Sequence, residues 1–424
     1  MEQTKSVAFH TLGCKLNFSE TSAISRLMEN EGFVKKEFED LADVYVINTC
    51  SVTDNADKEC RHLVRRIQRK APESMVVITG CYAQLKSKEI AAIPGVDLVL
   101  GAAEKFNIAQ HIRELSKGDS ARICSCDIET INGFNASYSL NDRTRSFLKV
   151  QDGCDYNCSF CTIPMARGKS RSDTIKNVIL NAEALVQKGV KEIVLTGINL
   201  GDFGKGPDGD KKHGESFLEL IQSLDKVEGI QRYRISSIEP NLLSNEIIEF
   251  VANSNKFMPH FHIPLQSGSN NILGLMQRRY RSELYAEKIN FIKTIMPHCA
   301  IGVDIIVGFP GETNEDFKKT FDFLHDLDLS YFHVFTYSER DDTHALEIKP
   351  VVPAAIRYER NKTLRNLSYM KQQYFTARHS GQTRKVLFEG HNKNNIMEGY
   401  TDNYIKIITP LREDWINQIV DWKI

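Results

Sequence analysis

The chain has 424 residues, 41% of them hydrophobic and 26% charged, with a formal net charge of −1. That balance fits a soluble protein of two or three domains, and no window approaches twenty consecutive apolar residues, which excludes a membrane-spanning helix. Near-neutral charge confines any nucleic-acid contact to local patches, and ten cysteines in so long a chain are too sparse for a disulfide scaffold.

Met1-Glu2-Gln3-Thr4-Lys5 leads straight into a strand-like run without a signal peptide, so a cytoplasmic location is expected. Residues 1–118 alternate apolar runs with helical patterns, the mark of βα units and an open parallel α/β sheet. Strands are expected at 7–11, 44–48, 75–79 and 98–100. A cysteine follows each of the first three: Cys14 after Leu12-Gly13, Cys50 after Asn48-Thr49 and Cys81 after Thr79-Gly80. Open α/β sheets bind ligands at the carboxyl ends of their strands, so these three thiolates should converge on one point. Gly13 and Gly80 would let the backbone approach a bulky cluster. Any one of these cysteines alone reads as a small buried apolar residue. At equivalent places in three repeats they read as ligands of an iron–sulfur cluster with one open iron.

After the second strand, Cys60, Leu63, Val64 and Ile67 recur at helical spacing, which makes Cys60 a core residue. The opposite face carries Lys58, Arg61, His62, Arg65, Arg66, Arg69 and Lys70, either a phosphate-binding surface or a solvated helix face. Residues 119–142 are polar and turn-rich and read as a linker, with Cys124 and Cys126 as free surface thiols.

From 143 to 375 the βα rhythm resumes, with strands expected at 147–150, 192–196, 233–237, 260–265, 302–307 and 332–336. Six strands are too few for a closed eight-stranded barrel, and a partial (β/α)6 barrel fits, with its site at the carboxyl strand ends. The first of these strands is followed by Gln151-Asp152-Gly153-Cys154-Asp155-Tyr156-Asn157-Cys158-Ser159-Phe160-Cys161. This C-x3-C-x2-C spacing can hold three corners of a 4Fe-4S cubane and leaves one iron open for a substrate or cofactor. Zinc fingers instead use paired C-x2-4-C arms. Cys299, just before an apolar strand, reads as core.

With Phe160 directly before the third cysteine, the run resembles the radical S-adenosylmethionine (SAM) superfamily. The resemblance implies a cluster whose open iron chelates SAM, and reductive cleavage of SAM to a 5′-deoxyadenosyl radical, with the protein binding and orienting the cofactor. Phe160 would pack on the adenine. Thr196-Gly197-Ile198-Asn199 stands where many members carry Gly-Gly-Glu; no Glu is present, which leaves backbone carbonyls or Asn199 for the SAM amino group. Ser236 and Ser237 would reach the ribose or carboxylate, Gln266 follows the fourth strand, and Val307, opening Val307-Gly308-Phe309-Pro310-Gly311-Glu312-Thr313, would border the adenine. Arg171, in Arg167-Gly168-Lys169-Ser170-Arg171-Ser172, would hold the SAM carboxylate or RNA phosphates.

Both cysteine triads together resemble the methylthiotransferases, over nearly the whole chain. His10-Thr11-Leu12-Gly13-Cys14-Lys15-Leu16-Asn17 and Asn48-Thr49-Cys50-Ser51-Val52-Thr53 look most like the branch acting on N6-threonylcarbamoyladenosine at position 37 of tRNA. The isopentenyladenosine branch usually has Gln after the first cysteine and the ribosomal-protein branch Pro; here Lys15 follows it. The short strand-like runs of 376–424 resemble a TRAM domain, a small OB-like β-barrel that would bind RNA. The resemblance implies two 4Fe-4S clusters and two SAM molecules. One cluster would carry a methylated sulfur, and the other would generate the radical that removes hydrogen from carbon 2 of the adenosine. It also implies a tRNA anticodon stem-loop as partner, an electron donor such as flavodoxin or ferredoxin, and an iron–sulfur assembly or sulfur donor, with no membrane involved. Isopentenyladenosine, a ribosomal-protein aspartate, and a non-catalytic iron–sulfur RNA-binding role remain as other readings.

Overall fold

Six parallel strands lead the computed structural model, which describes residues 5–51, 54–118, 120–131, 133–141, 143–206, 214–390 and 395–424. Val52 and Thr53 of the second cysteine motif lie outside them. The strands are β1 (Ser6–Thr11), β2 (Val34–Lys36), β3 (Val44–Thr49), β4 (Met75–Gly80), β5 (Leu98–Leu100) and β6 (Arg122–Cys124), in the order β2-β1-β3-β4-β5-β6. Every residue of β3 and β4 is buried, as central parallel strands covered on both faces must be. Helices α1 (Lys15–Asn30), α2 (Asp54–Lys70) and α3 (Cys81–Leu85) begin at or just beyond the carboxyl ends of β1, β3 and β4. In α2 the expected stripe faces the core: Cys60, Leu63, Val64 and Ile67 are all buried. Its cations are partly spoken for, since Arg66 pairs with Glu39 and Arg61 with Glu89.

The linker expectation needs correction. Arg122–Cys124 adds β6 to the N-terminal sheet, beside β5, and β7 (Ser137–Tyr138) pairs antiparallel with the first barrel strand. The segment therefore contributes one strand to each sheet. Both are too short for alternation to mark them in sequence.

The second unit carries β8 (Ser146–Lys149), β9 (Gln151–Asp152), β10 (Arg171–Ser172), β11 (Glu192–Thr196), β12 (Arg232–Ile235), β13 (His260–His262), β14 (Ala300–Val307) and β15 (Tyr331–Thr336). One sheet runs β12-β11-β8-β7 and another β13-β14-β15. Parallel bridges Tyr233↔Phe257 and Ser237↔His262 join them across the β12/β13 seam. β8, β11, β12, β13, β14 and β15 thus follow one another in parallel, the partial barrel expected. β13 stops short of the predicted 260–265 because Pro264 has no N–H to give to a ladder. The chain then runs through a helix, Ala354–Ala377, into β16 (Thr383–Glu389), β17 (Ile396–Thr401), β18 (Lys406–Pro410) and β19 (Ile419–Lys423). These form a small antiparallel sheet of order β18-β17-β16-β19, consistent with the OB-like domain anticipated. Among the described residues, no helix is long and apolar enough to cross a membrane.

Candidate active site between two cysteine triads

Strand register brings the first triad together. Thr49 pairs with Gly80, so Cys50 and Cys81 leave neighbouring strand ends side by side. Gly13 packs against Cys50 so closely that a Cβ at Gly13 would lie 2.5 Å from Cys50 Cβ and 2.8 Å from its Sγ. Cys14 and Cys81 are electrostatic neighbours. Gly80, at φ 98°, sits where a Cβ would strike the Thr49 carbonyl. Both glycines are needed for conformation and for room.

Around this triad lies a buried charge network. Glu20 accepts from Lys105 at 2.7 Å, Lys149 at 3.1 Å and Arg167 at 3.2 Å. Asp152 takes Arg167 at 2.9 Å and Lys149 at 3.1 Å, with Arg171 at 3.5 Å. Four cations against two carboxylates leave a positive surplus beside Cys81, the environment an anionic thiolate cluster requires. Burial pushes the Cys81 thiol up and Arg167 opposes it. Arg167 Nε is buried with no hydrogen-bond partner among the described residues, and Cys81 and Cys14 are among the groups acting on that guanidinium. A sulfur acceptor beside these cysteines would satisfy it.

The second triad hangs on a loop pinched at its base, where β9 and β10 pair as Asp152↔Arg171 and Gln151↔Ser172. Gly153, at φ 69°, opens the loop, and a Cβ there would collide with the Lys169 carbonyl. Backbone N–H groups of Tyr156 and Ile163 point at Cys154 Sγ and Cys161 Sγ, at 3.4 and 3.5 Å. Arg278 donates to Cys158 Sγ at 3.0 Å and is itself held by Glu239. Burial pushes the Cys154 and Cys161 thiols up to about 12, so metal-free they are protonated at neutral pH and cluster uptake must displace protons. Among the described residues, the one group of three His, Cys or carboxylate ligand atoms within 4.8 Å of one another is His262, Asp304 and His333. The thiols of both triads are spread wider. Alanine at Gly153 is expected to distort the loop base by roughly 1–3 kcal/mol and to lower iron content at the second triad, read as iron and sulfide per chain against the unsubstituted protein.

The triads face each other. Ser51 Oγ, next to Cys50, lies 3.5 Å from Thr162 Oγ1, next to Cys161. Beside Cys161 opens a cavity of about 220 Å³ lined by Phe160, Thr162, Gln266, Asp304, Ile306, Phe335 and Arg340, among others. Phe160 and Gln266 both line it. Val307 does not: strand alternation turns it into the core and presents Ile306 to the cavity. Arg171 is also corrected. Its guanidinium is consumed by the carbonyls of Gly133 at 2.9 Å, Arg167 at 2.7 Å and Lys169 at 3.1 Å, so it braces the loop on the Cys81 side. Gly197, Asn199, Ser236 and Ser237 lie at the ends of β11 and β12 and do not line this cavity. Asn199 is buried, and its Nδ2 has no hydrogen-bond partner among the described residues.

Two positioning residues escaped sequence reasoning. Gln151 Oε1 accepts from the N–H groups of Ile198 and Asn199 at 2.8 and 2.9 Å, while its Nε2 donates to Gly153 O at 2.8 Å and Ser170 Oγ at 2.9 Å. One buried amide therefore ties the cysteine loop to the Gly197 turn. Arg278, with its hand on Cys158, is the other. Neither carries a local signal: one is a lone Gln in a strand, the other part of an Arg-Arg pair far along the chain. Cys60 and Cys299 are core, as expected, whereas Cys124 is partly buried, 3.7 Å from His111 Nδ1.

Comparison with known proteins divides the chain in the same place. The uncharacterized protein family UPF0004 matches residues 6–101 and the Radical SAM superfamily residues 148–324, one model over each triad. The threonylcarbamoyladenosine tRNA methylthiotransferase MtaB of Bacillus subtilis (strain 168) is 40% identical, over 99% of this chain and 93% of the relative. The MtaB of Aquifex aeolicus (strain VF5) is 39% identical over 95% and 96%. The tRNA-2-methylthio-N(6)-dimethylallyladenosine synthase of Clostridium tetani (strain Massachusetts / E88) is 31% identical over 98% and 92%. In fold, the chain is similar to the radical S-adenosylmethionine methyltransferase TsrM from Kitasatospora setae, with a TM-score of 0.54 and 14% identity over 79% of this chain and 75% of that one.

Proposed function

The chain belongs to the radical SAM methylthiotransferase family, and from that premise we propose that it methylthiolates N6-threonylcarbamoyladenosine at position 37 of tRNA. The observation that carries the reading is the opposition of two cysteine triads across the Ser51–Thr162 contact, beside a cavity. When bound, two 4Fe-4S clusters and two SAM molecules would supply the sulfur, its methyl group and the carbon-centred radical chemistry.

The residues do the rest. Cys154, Cys158 and Cys161 hold one cluster and Arg278 steadies Cys158 by a charge-assisted bond. Cys14, Cys50 and Cys81 hold the other, in the positive surroundings of Arg167, Lys105 and Lys149. Phe160 and Gln266 shape the SAM cavity, with Phe160 edge-on to Phe309 at 6.3 Å between ring centroids. Gln151 fixes the Gly197 turn against the cysteine loop. Holding both centres to one cavity replaces an encounter in solution with a fixed approach, which matters most for a reactive radical. The small C-terminal sheet and the free cations of α2 are the surfaces offered to the tRNA anticodon stem-loop. An external electron donor such as flavodoxin or ferredoxin, and a sulfur or iron–sulfur donor, complete the partners.

The test is mass spectrometry of tRNA nucleosides from a host lacking its own activity, with and without this protein. A 2-methylthio derivative of threonylcarbamoyladenosine is expected. The group appearing on isopentenyladenosine would keep the chemistry and overturn the substrate. No new nucleoside would reject a tRNA substrate.

A further inference from the structure

Three neighbouring strands of the partial barrel turn metal-ligand side chains onto one face. Alternation sets that face on each strand. On β14, Val303, Ile305 and Val307 belong to the hydrophobic core, and Asp304 and Ile306 line the cavity beside Cys161. On β15, His333 pairs in register with Asp304, and Phe335, two residues on, lines the same cavity. On β13, Phe261 is in the core, so His262 takes the opposite face. Barrel interiors are ordinarily filled by layers of branched apolar side chains. Two imidazoles and a carboxylate in that place need a partner that satisfies them.

The three side chains meet. Asp304 Oδ1 lies 2.9 Å from His262 Nε2 and 3.1 Å from His333 Nδ1, so both imidazoles aim at one oxygen. The two rings lie side by side, with centroids 5.1 Å apart and planes 30° apart. All three ligand atoms fall within 4.8 Å of one another. Ligand atoms held about 2.1 Å from a metal at a right angle stand about 3.0 Å apart, the spacing found on both sides of Asp304. The side chains of His262, Asp304 and His333 are 12%, 23% and 54% exposed, so an ion has a way in. Two imidazoles and one carboxylate on one side of an ion leave its other positions open, and here the open side meets a cavity of about 220 Å³.

We propose that His262, Asp304 and His333 bind one divalent transition cation of the zinc or ferrous type, through Nε2, a carboxylate oxygen and Nδ1. This site is separate from both cysteine triads and uses nitrogen and oxygen donors in place of sulfur. Its open positions face the cavity, where the ion can polarise and orient an oxygen or nitrogen of the bound substrate. The proposal does not depend on which nucleoside is modified.

The test uses protein whose cysteine triads are already filled with iron and sulfide, so that added zinc finds no free thiols there. After Zn2+ is added and the excess removed by gel filtration, zinc is counted per chain beside iron and sulfide. One zinc per chain is expected. Its X-ray absorption should show nitrogen and oxygen donors at about 2.0–2.1 Å and no sulfur near the roughly 2.3 Å of a thiolate. His333→Ala and Asp304→Asn should each weaken zinc binding by about tenfold or more, since losing a ligand costs at least as much as losing a group that orients one. His333 is exposed enough for its loss to leave the fold intact, and unchanged iron and sulfide check both variants. His325→Ala removes an exposed histidine paired with Asp326 alone, at 2.9 Å, and should change nothing. Failure to retain zinc, zinc with sulfur neighbours, or zinc held equally well by His333→Ala would overturn the proposal and leave Asp304 as a hydrogen-bonded bridge between two imidazoles.

Discussion

Alanine at Cys50 is expected to abolish methylthiolation while leaving reductive cleavage of SAM to 5′-deoxyadenosine measurable; alanine at Cys158 should abolish both. The asymmetry follows from geometry. Cys50 directly follows a strand of the N-terminal sheet whose last residue, Thr49, is in register with Gly80 beside Cys81. Cys158 lies inside the loop pinched by β9 and β10, and its sulfur takes the Arg278 bond. Anaerobic single-turnover assays that count 5′-deoxyadenosine and methylthiolated nucleoside in the same tube separate the two losses. Cys60→Ala is the control: buried in the α2 stripe, it should cost on the order of 1 kcal/mol in stability and neither activity. Methylthiolation persisting in Cys50→Ala would end the two-triad reading.

Replacing Glu20 by glutamine should produce the largest stability loss among single isosteric changes in this protein, about 3–5 kcal/mol. Glu20 is fully buried and meets Lys105, Lys149 and Arg167 at once; without its charge, three cations must share Asp152. Burial alone would raise the Glu20 carboxyl pKa, but Arg167, Lys105 and Lys149 outweigh it and hold the group well below the carboxylate range. A carboxyl whose folded pKa is depressed stabilises the fold fully above its unfolded value, near pH ~4, and loses that contribution as pH falls further. The native protein should therefore weaken steeply below about pH 4, and Glu20→Gln should flatten that part of the profile. Denaturant unfolding across pH measures both effects. A loss within about 1 kcal/mol would mean that Asp152 alone satisfies the cluster of cations.

The two triads were legible because their signal is local. One is a three-residue spacing; the other is a cysteine after each of three apolar runs, and strand ends are where open sheets bind ligands. What surrounds them was not legible, because it depends on approach between distant segments. Gly153 matters through the Lys169 carbonyl, Gln151 through the N–H groups of Ile198 and Asn199, and Arg278 through a sulfur 120 positions earlier. Arg171 misled for a related reason. A cation near a cofactor loop looks like a ligand contact until the backbone carbonyls that occupy it are seen. Val307 and Ile306 are neighbours, and only the pleat of β14 decides which one meets the cavity.

The stretch between the two triads bears on how their separation is kept. Because β6 completes one sheet and β7 edges the other, both ends of the connection are clamped, and α1 adds a further clasp where Arg26 donates to the Tyr138 carbonyl at 2.7 Å. The connector acts as a ruler rather than a tether. Residues inserted at its middle would bulge outward and leave the gap between the centres unchanged, whereas deletions would pull a strand from one sheet or the other. Homologous chains should accordingly tolerate variable length between residues 125 and 136 only in the direction of growth.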